Sequence, residues 1–105
     1  MDEQAFEKIA TATLDQIETA LEKTGLDLDI EQKPGGVLSV GLENGQVLIL
    51  NRHSAMREIW LAAPTGGFHF RYEAGRWLNT RDGTELLGTL EHLLMQSSGT
   101  PVQLS

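Results

Sequence analysis

A chain of 105 residues, 40% hydrophobic and free of cysteine, can bury one small core as a single domain spanning 1–105. Disulfides, zinc-thiolate sites and thiol nucleophiles are excluded, so any metal falls to oxygen or imidazole ligands. The net charge of −7 is confined to the first 31 residues, where nine acids face two lysines, and a field this one-sided attracts cations or basic proteins while repelling nucleic acid and anionic membrane.

The opening Met1-Asp2-Glu3-Gln4 has neither the basic and apolar run of a signal peptide nor an arginine-rich transit helix. No apolar run nears the roughly 20 residues of a membrane span. A soluble, cytoplasmic protein in a reducing compartment is expected. From Asp2 to Thr24, Phe6, Ile9, Ala10, Ile17, Ala20 and Leu21 recur at helical spacing, which predicts a long helix with one buried stripe, stopped at Gly25. Leu26-Asp27-Leu28-Asp29-Ile30-Glu31 alternates apolar with acidic residues and predicts a strand buried on one face, its three acids sharing the other. After a turn at Pro34-Gly35-Gly36, Val37 to Glu43 and Gln46 to Arg52 read as antiparallel strands joined through Asn44-Gly45, a strong hairpin signal.

Glu58 to Ala62 and Phe68 to Tyr72 read as further strands, separated by Pro64-Thr65-Gly66-Gly67, and a short strand at Arg76 to Asn79 ends the sheet. Asp82 or Thr84 is placed to cap a second helix, in which Leu86, Leu87, Leu90, Leu93 and Leu94 form the buried stripe and Ser97-Ser98-Gly99 marks the exit. The order of helix, antiparallel strands and helix predicts an α+β two-layer sandwich, with both helices on one sheet face and the opposite face open.

Two surfaces stand out as candidate sites. Stepping about 100° per residue, Glu3, Glu7, Asp15, Glu18 and Glu22 fall within roughly a third of the first helix's circumference. Asp27, Asp29 and Glu31 follow at spacings of about 7 Å along a strand. If helix end and strand are neighbours, the two rows form one ridge. Such a ridge protects an outer strand from edge-to-edge aggregation. It equally suits hard cations such as Mg²⁺, Ca²⁺, Mn²⁺ or iron, bound no tighter than about 10⁻⁴ M by exposed ligands, or a basic partner. On the other surface, alternation sends Ile59 and Leu61 inward and Glu58 and Trp60 outward, and likewise Phe68, Phe70 and Tyr72 inward and His69 and Arg71 outward. A tryptophan beside histidine and arginine has the composition of a docking hot spot; alternatively a loop caps it, or it covers sheet backbone. Asn51 belongs to the same surface or closes a turn.

Catalytic patterns are absent: His53, His69 and His92 lie in different elements with no His-Glu-x-x-His motif, and neither a Gly-x-Ser-x-Gly elbow nor a phosphate loop occurs.

The segments Gly35-Gly36-Val37-Leu38-Ser39-Val40, Glu43-Asn44-Gly45, Ile49-Leu50-Asn51-Arg52, Ile59-Trp60-Leu61-Ala62 and Gly66-Gly67-Phe68-His69-Phe70, with Trp77 ahead of Asp82-Gly83, resemble the frataxin family in its bacterial CyaY branch. The likeness runs in order along nearly the whole chain. It implies two helices against an antiparallel sheet, and a role in iron-sulfur cluster assembly as regulator or iron donor. It also implies weak surface binding of Fe²⁺ or Fe³⁺ and contact with a cysteine desulfurase and an iron-sulfur scaffold protein. Carried over by position, Glu18, Glu22, Asp27, Asp29 and Glu31 match ridge acids, with Glu43 an outlying member, while Asn51, Trp60 and His69 match partner-surface positions. Thr19, Lys23, Thr24, Leu26 and Lys33 depart from the family pattern and thin the ridge. The resemblance implies no enzyme, with ferroxidase activity left open, and a monomer that metal bridging could assemble further. The competing reading is an acidic interaction module that modulates a basic partner enzyme, with metal binding incidental.

Overall fold

The computed structural model describes residues 1–104. Helix α1 (Glu3–Glu22) begins at Asp2, whose carboxylate accepts the Ala5 N–H at 2.7 Å, one of the donors a helix start leaves unpaired. Its buried face is Phe6, Ala10, Leu14, Ile17 and Leu21, spaced by three and four; Leu14 joins the stripe that the sequence pattern outlines without it. Gly25, at φ +78°, lets the chain reverse out of the helix toward the sheet.

Six strands follow: β1 (Asp29–Lys33), β2 (Val37–Gly41), β3 (Val47–His53), β4 (Glu58–Ala63), β5 (Gly66–Glu73) and β6 (Arg76–Asn79). They pair antiparallel in strict chain order as a meander. Helix α2 (Leu86–Ser98) closes the fold and ends at Gly99, φ +76°. The expected sandwich is thus present, with corrections at element ends: β2 stops at Gly41 and not Glu43, β5 starts at Gly66 inside the expected turn because Gly66 and Gly67 pair with Ala63 and Ala62, and the starts of β1 and α2 move as well. The first strand starts at Asp29, three residues later than the alternation suggests, and runs to Lys33. Leu26 and Leu28 still pack against the core, so the alternation is real, but β2 ends at Gly41 and leaves no partner backbone for residues 26–28. Neither Asp82 nor Thr84 caps α2. Glu85 occupies the cap position without a side-chain bond to the helix, and Asp82 instead accepts the Thr84 N–H at 3.0 Å in the preceding turn. That backbone N–H, helped by the Thr84 hydroxyl, holds the Asp82 carboxyl below the ordinary carboxylate range. Its stabilising effect is therefore present above that range and is lost as pH falls through the folded value.

The core lies between the helices and one sheet face, where Leu38, Val40, Leu48, Leu50, Ile59, Leu61 and Phe70 are at most 1% exposed. Trp77 of β6 ties the far end of the sheet to α1. Its ring meets Phe6 edge-on at 6.0 Å and Tyr72 at 5.1 Å, and its Nε1–H donates to Thr13 Oγ1 at 2.9 Å. At the β2 start, Gly36 (φ +77°) passes so close to Arg52 that a Cβ there would sit 2.9 Å from the Arg52 side chain. The C-terminal segment folds back over α2: Leu104 is 7% exposed and its N–H donates to Glu91 Oε2 at 2.8 Å.

Two substitutions test these packing statements. Trp77→Ala removes the aromatic that joins β6 to α1 and should cost about 3–5 kcal/mol in a denaturant titration. The β5–β6 turn holds Ala74 at φ +50° ahead of Gly75 at φ +81°, the backbone of a two-residue hairpin that favours Asn-Gly. Ala74→Asn should therefore raise stability by about 0.5–1 kcal/mol, seen as a higher midpoint at unchanged slope.

Candidate functional site

Four acids of the N-terminal third, Asp15 and Glu18 of α1 with Asp29 and Glu31 of β1, meet at the sheet edge formed by β1. Ile30 packs toward the core, so its neighbours Asp29 and Glu31 stand on the uncovered face, opposite Gly41 and Ser39. Gln32 returns to the helix side, where its side-chain amide donates to Asp15 Oδ1 at 2.8 Å and Glu18 Oε1 at 2.6 Å. This amide joins helix and strand, and the two acidic rows do become neighbours. They do not share one plane. The helix acids lie on one side of the edge strand and the strand acids on the other, so the ridge wraps around the edge.

Glu22 is exposed in the last turn of α1, and Asp27 is exposed ahead of the strand, outside the ladder in which the alternation places it. Glu43 lies exposed in the β2–β3 turn. Glu7 leaves the group: it faces Arg52 Nη2 at 3.9 Å and accepts from the Ser54 hydroxyl at 3.3 Å. Lys33 approaches Glu31 at 3.9 Å, an exposed pair of little strength. Among the described residues, no three His, Cys, Asp or Glu side chains are grouped so as to hold one metal ion.

The second surface is the sheet face without helices. Antiparallel register places Lys33, Val37, Asn51, Trp60 and His69 side by side in one row across five strands. The three residues singled out from sequence on this face are thus immediate neighbours. Glu31, Ser39, Ile49, Ala62 and Gly67 form the next row, and His53, Glu58, Arg71 and Leu78 another. Ile49 and Val47 are more than 40% exposed, so the face has an apolar half beside its aromatic one.

Trp60 is not bare. Its indole is sandwiched between His53, at 3.8 Å and 14° between planes, and His69, at 4.2 Å and 7°. Its Nε1–H donates to Glu58 Oε1 at 2.8 Å. Glu58 is only 3% exposed, though it belongs to the uncovered face, because the stack and Arg71 roof it. Its Oε2 accepts from Arg71 at 3.0 Å, and His69 Nδ1 stands 3.8 Å from Oε1. The face therefore presents the flanks of a three-ring ladder over a paired carboxylate.

His53 and Glu58 escape the sequence reading as site residues. The four-residue turn Ser54–Arg57 sets the pairing His53↔Glu58 and Asn51↔Trp60, and nothing in it resembles the Asn-Gly signal of the preceding hairpin. It is held by the Arg57 N–H to the Ser54 carbonyl at 3.2 Å, by the Arg57 guanidinium on the same carbonyl, and by Arg57 at φ +55°. With that register assigned, alternation alone puts His53 on the Trp60 face. His92 lies exposed on α2. The cleft between α1, α2 and β6, lined by Ile9, Ile17, Trp77, Leu86 and Leu104, is apolar, and the charged pair at its lining, Arg76 and Glu85, is closed on itself at 2.9 Å. No helix among the described residues is long and apolar enough to cross a membrane.

Comparison with known proteins agrees with this architecture. A family model described as a frataxin-like domain matches residues 1–100. The iron-sulfur cluster assembly protein CyaY of Dechloromonas aromatica (strain RCB) is 43% identical over 104 residues, covering 99% of this chain and 99% of its own length. Among solved structures, the chain is similar to frataxin from Psychromonas ingrahamii, with a TM-score of 0.93 at 30% identity over 100% of this chain and 99% of that one. It also shares its fold with a trimeric frataxin from the yeast Saccharomyces cerevisiae complexed with ferrous iron, with a TM-score of 0.68 at 23% identity over 95% and 88% of the two chains. Sequence, topology and the matched length agree, and the chain belongs to the frataxin family, in its bacterial CyaY branch.

Proposed function

We propose that this protein works in iron-sulfur cluster assembly, as its CyaY relatives are named to do, by binding iron weakly along the β1 edge and by docking on the assembly machinery. The observation that carries the reading is the acidic edge, Glu18, Glu22, Asp27, Asp29 and Glu31, whose five carboxylates meet one exposed cation among the described residues, Lys33 beside Glu31, and which lies beside a sheet face built around Trp60. Exposed carboxylates spread over the end of α1, the connection to β1 and β1 itself offer oxygen ligands suited to Fe²⁺ without enclosing it. Such a surface releases its ion readily, which fits iron as cargo and not as a fixed cofactor. The same negative field steers a basic partner, for which a cysteine desulfurase is the proposed candidate, while Asn51, Trp60 and His69 contact the scaffold protein. The working form is a cytoplasmic monomer, and iron bridging between edges is the route to larger assemblies.

One observation favours the competing reading, a docking module in which metal is incidental. No trio of ligands converges among the described residues, and Gln32 already ties up Asp15 and Glu18.

A ¹⁵N amide titration with ferrous iron under anaerobic conditions, with magnesium as control, separates the two. Broadening confined to residues 18–31 by iron alone supports the iron site; equal responses to both ions, or none, leave the edge as a docking surface. Asp27→Asn, Asp29→Asn and Glu31→Gln combined should abolish that broadening together with the effect on cluster assembly, while stability stays within about 0.5 kcal/mol of wild type. Should the assembly effect survive in the combined variant, iron delivery from this edge is excluded.

A further inference from the structure

Nothing in the core requires a carboxylate at Glu58, and a carboxylate at 3% exposure is unfavourable unless its partners are well placed. Its partners are all on the uncovered face: the Trp60 indole N–H at 2.8 Å, the Arg71 guanidinium at 3.0 Å and, more distantly, His69. His53 makes a comparable sacrifice. Its Nδ1 is buried with no hydrogen-bond partner, while its ring lies 3.8 Å from the indole and nearly parallel to it. A histidine free to follow its hydrogen bonding would turn that nitrogen to water. Both residues accept a local penalty and have one thing in common: each restrains Trp60. The Glu58 bond fixes rotation of the indole in its own plane, and His53 with His69 blocks tilting out of it.

We propose that Glu58 and His53 are positioning residues for Trp60, holding the indole ready in the orientation in which it docks the scaffold protein. The inference rests on the proposed role of the Trp60 face and adds how that face is kept rigid. A large aromatic that is immobile before binding loses no rotamer freedom on binding. Glu58 therefore acts through Trp60 and not as a contact, since it is almost wholly covered.

The protein has two indole N–H groups, Trp60 and Trp77, which ¹⁵N-labelled protein reports separately. Glu58→Ala and His53→Ala should each shift the Trp60 indole resonance and speed its exchange with solvent, leaving Trp77 unchanged. Glu58→Gln keeps one acceptor oxygen for the Trp60 N–H but turns an amide NH2 toward the Arg71 guanidinium, so it should fall between wild type and Glu58→Ala in both the Trp60 signal and the affinity. Calorimetric titration with the scaffold protein should show the two alanine variants binding roughly 2- to 12-fold more weakly, the equivalent of immobilising one large side chain on docking. If Glu58→Ala does not fold, His53→Ala at the strand end carries the same comparison.

Alanine variants that bind like wild type, while Trp60→Ala abolishes binding, overturn the positioning role and leave the docking face intact. Trp60→Ala binding like wild type overturns the docking role itself. The first failure is confined to the two positioning variants, whereas the second removes every effect of this face on affinity.

Discussion

Alternation along six antiparallel strands sends every second side chain away from the helices, and this uncovered face is the constraint on which the rest of the molecule depends. On the helix side the pattern yields a dry core of leucine, isoleucine, valine and phenylalanine. On the other side the same strands must display whatever the sequence puts between those residues. In a meander with β-strand neighbours in chain order, register is set turn by turn. A slip of one residue in the Ser54–Arg57 turn would exchange Trp60 with Leu61 and turn the indole into the core.

The acidic edge follows from the same geometry. An outer strand presents unpaired backbone groups to solvent, and charge on it discourages another chain from adding there. β1 carries Asp29 and Glu31 on one side and reaches α1 through Gln32 on the other. Edge protection and partner selection are therefore not competing uses of these acids. A surface that repels a second copy of the same sheet is, by the same field, attractive to a cation or a basic protein.

Much of this was readable from the chain. Asn44-Gly45, Pro64 to Gly67 and the leucine stripe of α2 carry strong local signals, and each strand exists where those signals put it, although β2 stops at Gly41 and β5 takes in Gly66 and Gly67 of the expected turn. The misses have physical causes. The β1 boundary depends on how far β2 extends as a partner, which no residue within 26–31 encodes. Helix α2 starts beyond both expected caps because Asp82 accepts the Thr84 N–H in a turn, the local competition that makes such residues ambiguous between cap and loop. His53 was separated from Trp60 because the turn between them owes its form to a left-handed Arg57, a residue type with no preference for that conformation. The site became visible only when register brought three strands together.

Trp77 and Thr13, hydrogen-bonded across 64 positions of sequence, have a consequence for the order in which the molecule is made. Hairpin contacts within the meander are local and can form as soon as each pair of strands leaves the ribosome. Helix α1 emerges first, yet the aromatic that covers Phe6 and Thr13 is synthesised near the end. During synthesis, then, the apolar stripe of α1 waits for most of the chain with its final cover missing, and the acids flanking that stripe keep the nascent helix dispersed in water until β6 arrives.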